Sequence, residues 1–495
     1  VNLREKLRDL LVDWQPGHVM RTSYDTAWVA RLGDVEPSLN HPALNWICDH
    51  QLPDGSWGAP EPIYYHDRVI CTLAAMTALC RQGRRSSDRR QIELGLDALE
   101  RITSGATIGL MADPNGATAG FETIVPTLVA EAEALGIIKR QGTRILGRLA
   151  KLRAAKLERL SGKTINRFLS IAFSAEMAGP DHTHLLDTEN LQESNGSVAY
   201  SPSTTAYFAR HVHPGDTRAL EYLKKIVDPS GGAPIAYPFD VYERAWVLWN
   251  LLLSGEMDEE TRALCIPHVD ALQAAWNRGK GAGWGSGYSI QDGDDTSVVF
   301  SVLDQFNRRP DIGALWSFEE PTRFRTFDLE VNASPSTNVH FLDVFRRMGL
   351  DRNHPAVQKV LTFLRESQSE EGFWLDKWHV SPFYVSAHVL IAGAGYDLPM
   401  AERIVNWFIK MQNLDGSWGF FSSTAEETAY VLQALVTWHR SGREVSREVI
   451  RRGAVWLEDH SEPPYPALWI AKTLYYSEWV IRAEILSALL MASTV

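Results

Sequence analysis

The sequence predicts an all-α protein assembled from helical hairpins closed into α/α-barrels. Three observations lead there. Apolar residues recur at helical spacing along most of the chain, as at Val69, Leu73, Met76 and Leu79. Short loops rich in Gly, Pro, Asp and Ser separate these stretches, and strand-like alternation is scarce. A Gln-x-x-x-Gly-x-Trp motif repeats at Gln51-Gly55-Trp57, Gln368-Gly372-Trp374 and Gln412-Gly416-Trp418.

Each full copy of the motif has a large apolar residue four positions before the Gln: Ile47, Leu364 and Phe408. The Gly lets the chain turn sharply after a helix. The Gln amide can bond freed backbone groups, and the Trp can cover the junction. A degenerate copy at Gln192-Gly196-Val198 has lost its Trp. Stacked or ring-closed helical hairpins follow from such a repeat.

The chain has 495 residues, enough for two or three domains. Its net charge of −12 argues against a nucleic-acid partner, which wants a basic stripe. The Arg84-Arg85 and Arg89-Arg90 cluster reads as a solvated helix end. Cys48, Cys71, Cys80 and Cys265 form no C-x-x-C pair and suggest reduced thiols. No apolar run reaches the roughly 18 residues that cross a bilayer, so a cytoplasmic protein with no transmembrane segment is expected. Seventeen tryptophans can line an apolar pocket as well as fill cores.

Chemistry points to Asp292-Gly293-Asp294-Asp295-Thr296, which follows a Gly-rich loop and precedes Val298-Val299-Phe300. This spacing fits a solvated acidic helix cap as well as a reaction centre. A calcium loop fits less well, because the D-x-[DN]-x-[DN]-G pattern is not met. As a reaction centre the cluster makes a strong acid: crowded carboxyls cannot all ionise, so one keeps a proton. Protonating an isolated alkene needs such a group, and aromatic faces would then stabilise the carbocation. Trp284 and the run Phe373, Trp374, Trp378, Phe383 and Tyr384 are candidates. The Asp-Asp-x-x-Asp pattern that ionises allylic diphosphates with magnesium is missing, since Asp294-Asp295 is followed by Thr-Ser-Val.

The chain resembles the bacterial class II diterpene cyclases and the copalyl-type synthases nearly end to end. The matching blocks are Ser23 to Ala30, Gln51 to Gly58, Gly120 to Pro126, Asn195-Gly-Ser followed by Ser201-Pro-Ser, Tyr237 to Arg244, Asp292 to Thr296, Asp376-Lys-Trp378 and Pro466 to Leu474. The resemblance implies two α/α-barrel domains with the active cavity between them. Residues 1–14 and 236–495 would form one, called β, and residues 15–235 the inserted one, called γ. It implies a prenyl diphosphate substrate, geranylgeranyl diphosphate, cyclised to a bicyclic labdane-, halimadane- or clerodane-type diphosphate. Asp294 would be the acid, Asp292 and Asp295 would orient it, and Asn338 would bond it. Trp284, Phe173, Ile235, Tyr237, Trp374 and Trp378 would line the substrate cavity. Mg²⁺ would accompany the diphosphate, with Asp113 in Ala112-Asp113-Pro114-Asn115 as a metal candidate and a homodimer as a candidate assembly. Phe173 and Ile235 stand where plant ent-copalyl enzymes hold a basic water with His and Asn, so hydride and methyl shifts are expected. Farnesyl diphosphate is the alternative substrate within the family. A non-catalytic, prenyltransferase-β-like barrel subunit is the alternative of another class.

Overall fold

The computed structural model of the chain describes residues 2–17, 19–83, 85–103, 117–139, 141–330 and 332–495. Helices Asp240–Ser254, Gly293–Gln305, Pro335–Arg347, Pro382–Gly393, Ala425–Arg440 and Glu478–Ala492 each pack on the next, and the last returns to the first. This closes an inner ring. Helices Glu259–Ala275, Pro355–Ser367, Leu398–Met411 and Arg447–Asp459 lie outside it, each against the inner helix that precedes it. The N-terminal helix Leu3–Asp13 joins this outer layer, against Glu478–Ala492 and Glu259–Ala275. Inner and outer helices differ in sequence for that reason. Pro382–Gly393 is buried at every position, whereas Leu398–Met411 buries only the face with Met400, Ala401, Ile404, Val405, Trp407 and Phe408.

A second, smaller ring is made by Ser23–Val29, Tyr65–Gln82, Phe121–Ala134, the 3₁₀ segment Ser170–Ala178 and Pro202–Tyr207. Its apolar core runs from Tyr24 to Ala233 and takes in Tyr288. The first core gathers Leu7 to Val19 with residues from Ile235 onward. A short antiparallel hairpin, Trp469–Ile470 with Leu474–Tyr475, reaches from one ring to the other. Ala119 N–H donates to its Ala471 carbonyl at 2.7 Å, and its Leu474 N–H donates to Asp67 at 2.9 Å.

Side-chain caps set where helices begin. Asp258, Asp292, Ser334, Asp397 and Thr424 each accept a backbone N–H of the first turn. Pro335, Pro355 and Pro382 occupy first-turn positions, where no N–H is needed.

The repeated motif is a helix-ending turn. The amides of Gln51, Gln368 and Gln412 donate to the carbonyls of Gly55, Gly372 and Gly416, each at 2.9 Å. The indoles of Trp57, Trp374 and Trp418 donate back to Ile47, Leu364 and Phe408 at 2.7–2.8 Å, satisfying the last turn of the preceding helix. Gln192 keeps the same bond to Gly196 at 2.8 Å without a Trp.

Gly416 combines φ +102° with an approach to the next helix so close that a Cβ would lie 2.6 Å from the Arg452 carbonyl. Gly416→Ala is therefore expected to lower stability by about 1–3 kcal/mol, read as an earlier urea midpoint. An unchanged midpoint would refute this account of the turn.

Candidate active site

Asp292 caps the Gly293–Gln305 helix, accepting Asp295 N–H at 2.8 Å. That cap folds all three carboxyls of the motif into one helical turn. Gly293 is required by its neighbour: its N–H donates to Thr326 O at 2.9 Å, and a Cβ would meet Arg325 O at 2.3 Å. The 325–328 loop is thereby pressed over the acidic turn. Asp292 Oδ2 and Asp295 Oδ1 are buried with no donor against them. Burial, with the neighbouring carboxyls, pushes Asp292 up to about 7 and Asp295 well above the usual carboxylate range. Burial therefore favours the neutral forms of Asp292 and Asp295, as it would not in a solvated cap.

Asp294 faces a cavity of about 280 Å³ that opens between the two rings. Its Oδ1 lies 2.6 Å from Nδ1 of His340, not beside Asn338. This corrects the expected partner. Asn338 and His340 are two residues apart on Pro335–Arg347, so their side chains point about 200° apart and only one can face Asp294. Asn338 instead accepts Phe324 N–H at 2.9 Å and donates to the carbonyls of Phe324 and Ser334. It pins the start of the loop that covers the acid.

Phe173, Ile235, Trp284 and Trp378 line this cavity. Phe173 meets Trp284 edge to face, with ring centroids 5.6 Å apart. Asp376 holds Trp378 in place, accepting Trp378 N–H at 3.2 Å and the hydroxyls of Ser334 and Ser336 at 2.9 and 2.8 Å. Two expected wall residues are elsewhere. Trp374 is fully buried in its turn, its indole committed to Leu364. Tyr237 sits outside the lining, its N–H bonded to Tyr200 O and its carbonyl to the Tyr222 hydroxyl. Asp113 lies outside the described residues.

Sequence reasoning missed Phe327 on the covering loop, and Phe239, Tyr242, Trp469 and Tyr475, all in the aromatic wall. The last four lie in or next to blocks that carried the family resemblance, and aromatic type within those blocks was the available signal. Glu426 anchors Trp469, accepting its indole N–H at 2.8 Å and the Tyr430 hydroxyl at 2.7 Å. Lys156, Arg159 and Lys377 also line the cavity. Lys156 pairs with Glu122 at 2.6 Å, and Lys377 pairs with Glu330, whose carbonyl accepts from Arg159 at 3.3 Å. Among the described residues, no three His, Cys, Asp or Glu side chains converge as metal ligands.

Residues 328–464 match the squalene-hopene cyclase C-terminal domain. A type B diterpene cyclase of Mycobacterium tuberculosis is 48% identical over 493 residues, covering 98% of each chain. The chain belongs to the type B, or class II, diterpene cyclases. Within this family, an ent-copalyl diphosphate synthase of a Streptomyces species is 31% identical over 90% of this chain and 87% of its own. The solved structure of the ent-copalyl diphosphate synthase from Streptomyces platensis superposes over 100% of both chains, with a TM-score of 0.81 at 27% identity. A class II diterpene cyclase is an enzyme, which sets aside a non-catalytic barrel subunit. Among the described residues, no helix of this cyclase is long and apolar enough to cross a membrane.

Proposed function

We propose that the chain cyclises geranylgeranyl diphosphate to a bicyclic diterpenyl diphosphate with the diphosphate retained. The observation that carries this reading is Asp294, a carboxyl facing an aromatic cavity and held from behind by His340. The O–H bond of Asp294 breaks as its proton adds to the less substituted carbon of the terminal alkene. The tertiary cation that forms is attacked by the next double bond, and a second closure follows. Loss of a proton from carbon restores an alkene, so substrate and product are isomers. Burial favours the neutral forms of Asp292 and Asp295 and so limits the like charge beside the new Asp294 carboxylate. Trp284, Trp378 and Trp469 offer π faces worth about 0.5–2 kcal/mol each to the migrating charge.

Among the described lining residues, Lys156, Arg159 and Lys377 bring the positive charge that would face the diphosphate. The described carboxylates make no metal site of their own, and Glu122 and Glu330 are already paired with lysines. Mg²⁺ would enter as the counter-ion of the diphosphate, supplying charge neutralisation there. Phe173 and Ile235 bring no base to the wall, which favours a longer-lived cation and rearranged halimadane or clerodane skeletons. The four cysteines are free, which fits work in the cytoplasm.

The test incubates the purified protein separately with the C20 and C15 diphosphates, then identifies dephosphorylated products. A rearranged bicyclic C20 alcohol is expected. Turnover confined to the C15 substrate would overturn the chain length, and unrearranged ent-copalyl diphosphate alone would overturn the role given to Phe173 and Ile235.

A further inference from the structure

Behind Asp294 the hydrogen bonding does not stop at His340. Nε2 of His340 lies 3.0 Å from Nδ1 of His388, on helix Pro382–Gly393. The Tyr384 hydroxyl is a longer contact to the same Nε2, at 3.4 Å. His388 is buried, with its ring stacked on Trp249 at 4.8 Å and 12°. Both ring nitrogens of His340 are therefore engaged, one with the acid and one with a second imidazole.

A nitrogen–nitrogen hydrogen bond carries one proton, so the state of one ring fixes the other. For Asp294 to give up a proton from its cavity-side oxygen, Oδ1 must be accepting from His340 Nδ1–H. If His340 is neutral in that tautomer, its Nε2 is bare and His388 must donate from Nδ1. If His340 is an imidazolium, its Nε2–H donates and His388 Nδ1 must be a bare acceptor. Only the second state puts a positive charge against Asp294, where it favours the carboxylate left behind.

We infer that His388 is a positioning residue that, by presenting a bare Nδ1 lone pair, holds His340 as the doubly protonated donor behind Asp294. This rests on Asp294 being the acid. The surroundings favour this division of charge. Burial, followed by the neighbouring His340, holds His388 well below the usual imidazole range. Around His388 stand Trp249 from Asp240–Ser254, His340 from Pro335–Arg347, Tyr384 from its own helix and Tyr430 from Ala425–Arg440. Asp343 and His379 act on it by charge. Asp343 alone would favour a charged His388, and it is already committed to Arg346 and Arg347 at 2.6 and 2.8 Å. His340 Nδ1 instead lies 2.6 Å from Asp294 Oδ1, where the carboxylate left by proton transfer forms.

The role separates from packing by the choice of variant. His388→Phe keeps a ring against Trp249 and removes the acceptor. His388→Asn places an acceptor oxygen where Nδ1 was. A hydrogen bond to a charged group shifts an equilibrium roughly ten- to hundredfold. His388→Phe is thus expected to lower kcat at least about tenfold with KM for geranylgeranyl diphosphate unchanged. Without the acceptor, the His340 imidazolium loses its proton more easily, so the alkaline limb of kcat against pH should move down by about one unit or more. His388→Asn should restore both. In the wild-type protein, ¹⁵N spectra of labelled histidine should show both His340 nitrogens protonated and His388 protonated on Nε2 alone.

An unchanged pH profile in His388→Phe, equal damage in the Phe and Asn variants, or a proton on His388 Nδ1 would each overturn the inference. If His388→Phe does not fold, the wild-type ring spectra decide. If the wild-type protein cyclises no prenyl diphosphate, the cyclase reading falls instead, and the ring spectra still test the protonation pattern.

Discussion

Asp294→Asn is expected to abolish cyclisation of geranylgeranyl diphosphate while leaving the melting temperature within a few degrees of wild type. Asparagine has nearly the shape of aspartate, and its Oδ1 can still accept a hydrogen bond from His340 Nδ1, now 2.6 Å from the carboxyl oxygen. What it lacks is a proton that can be given away. General acids typically contribute about 10²–10⁴ in rate. An isolated alkene is so weak a base that water cannot substitute, so the loss should reach at least the upper figure. The flanking carboxyls should behave differently. Asp295 is buried with an oxygen that meets no donor, and burial already favours its neutral form. Asp295→Asn should therefore cost little stability and lower kcat less than Asp294→Asn does. Asp292 also caps its helix through Asp295 N–H. Asp292→Ala should cost about 0.5–2 kcal/mol by cap loss alone. Product analysis with a thermal melt on each variant separates these effects. Equal losses of turnover in all three would show that the cluster, and not Asp294, is the unit of acid chemistry.

Local sequence made the scaffold and the acid legible, because both are local. The Gln–Gly–Trp turn closes within ten residues, and every bond it makes can be anticipated from Gln, Gly and Trp chemistry. The acidic turn is four consecutive residues with its own cap. The same locality misled where a residue's role depends on which way it faces. Trp374 belongs to an aromatic run, yet its indole serves the turn and leaves the wall to Trp378, four residues on. Asn338 carries the polar group that the family resemblance expects, but helical rotation gives the acid to His340. Nothing in a linear pattern marks His388, because its partner is 48 residues away on another helix.

Lys472→Met is expected to be the most destabilising single change, at about 3–5 kcal/mol, the range for removing one partner of a buried ion pair. Lys472 and Glu176 are fully buried and 2.6 Å apart, joining residues 296 positions distant. The lysine sits in the hairpin that reaches from one ring to the other, and the glutamate sits in the 3₁₀ segment of the second ring. The ammonium also lies 2.7–2.8 Å from the hydroxyl oxygens of Ser201, Ser203 and Thr204, sharing its three N–H groups among these and Glu176, and 4.6 Å from the Phe173 ring centroid. Methionine fills similar volume but leaves Glu176 as an unpaired charge, with the hydroxyls of Tyr24, Ser203 and Thr204 to solvate it. Adding Glu176→Gln to Lys472→Met should recover a large part of the loss, since the orphaned charge is then gone. Urea unfolding of the two single variants and the double variant measures the coupling. Because water is excluded, the coupling should change little between low and high salt. The pair also bears on catalysis. Trp469, Ile470 and Ala471 precede the lysine and line the cavity, as do Phe173 and Ser174 just before the glutamate. Where Lys472→Met still folds, its product mixture should therefore broaden, because the two walls that shape the cation are no longer tied together. A variant that loses stability yet keeps a single product would show that the walls hold their shape without the ion pair.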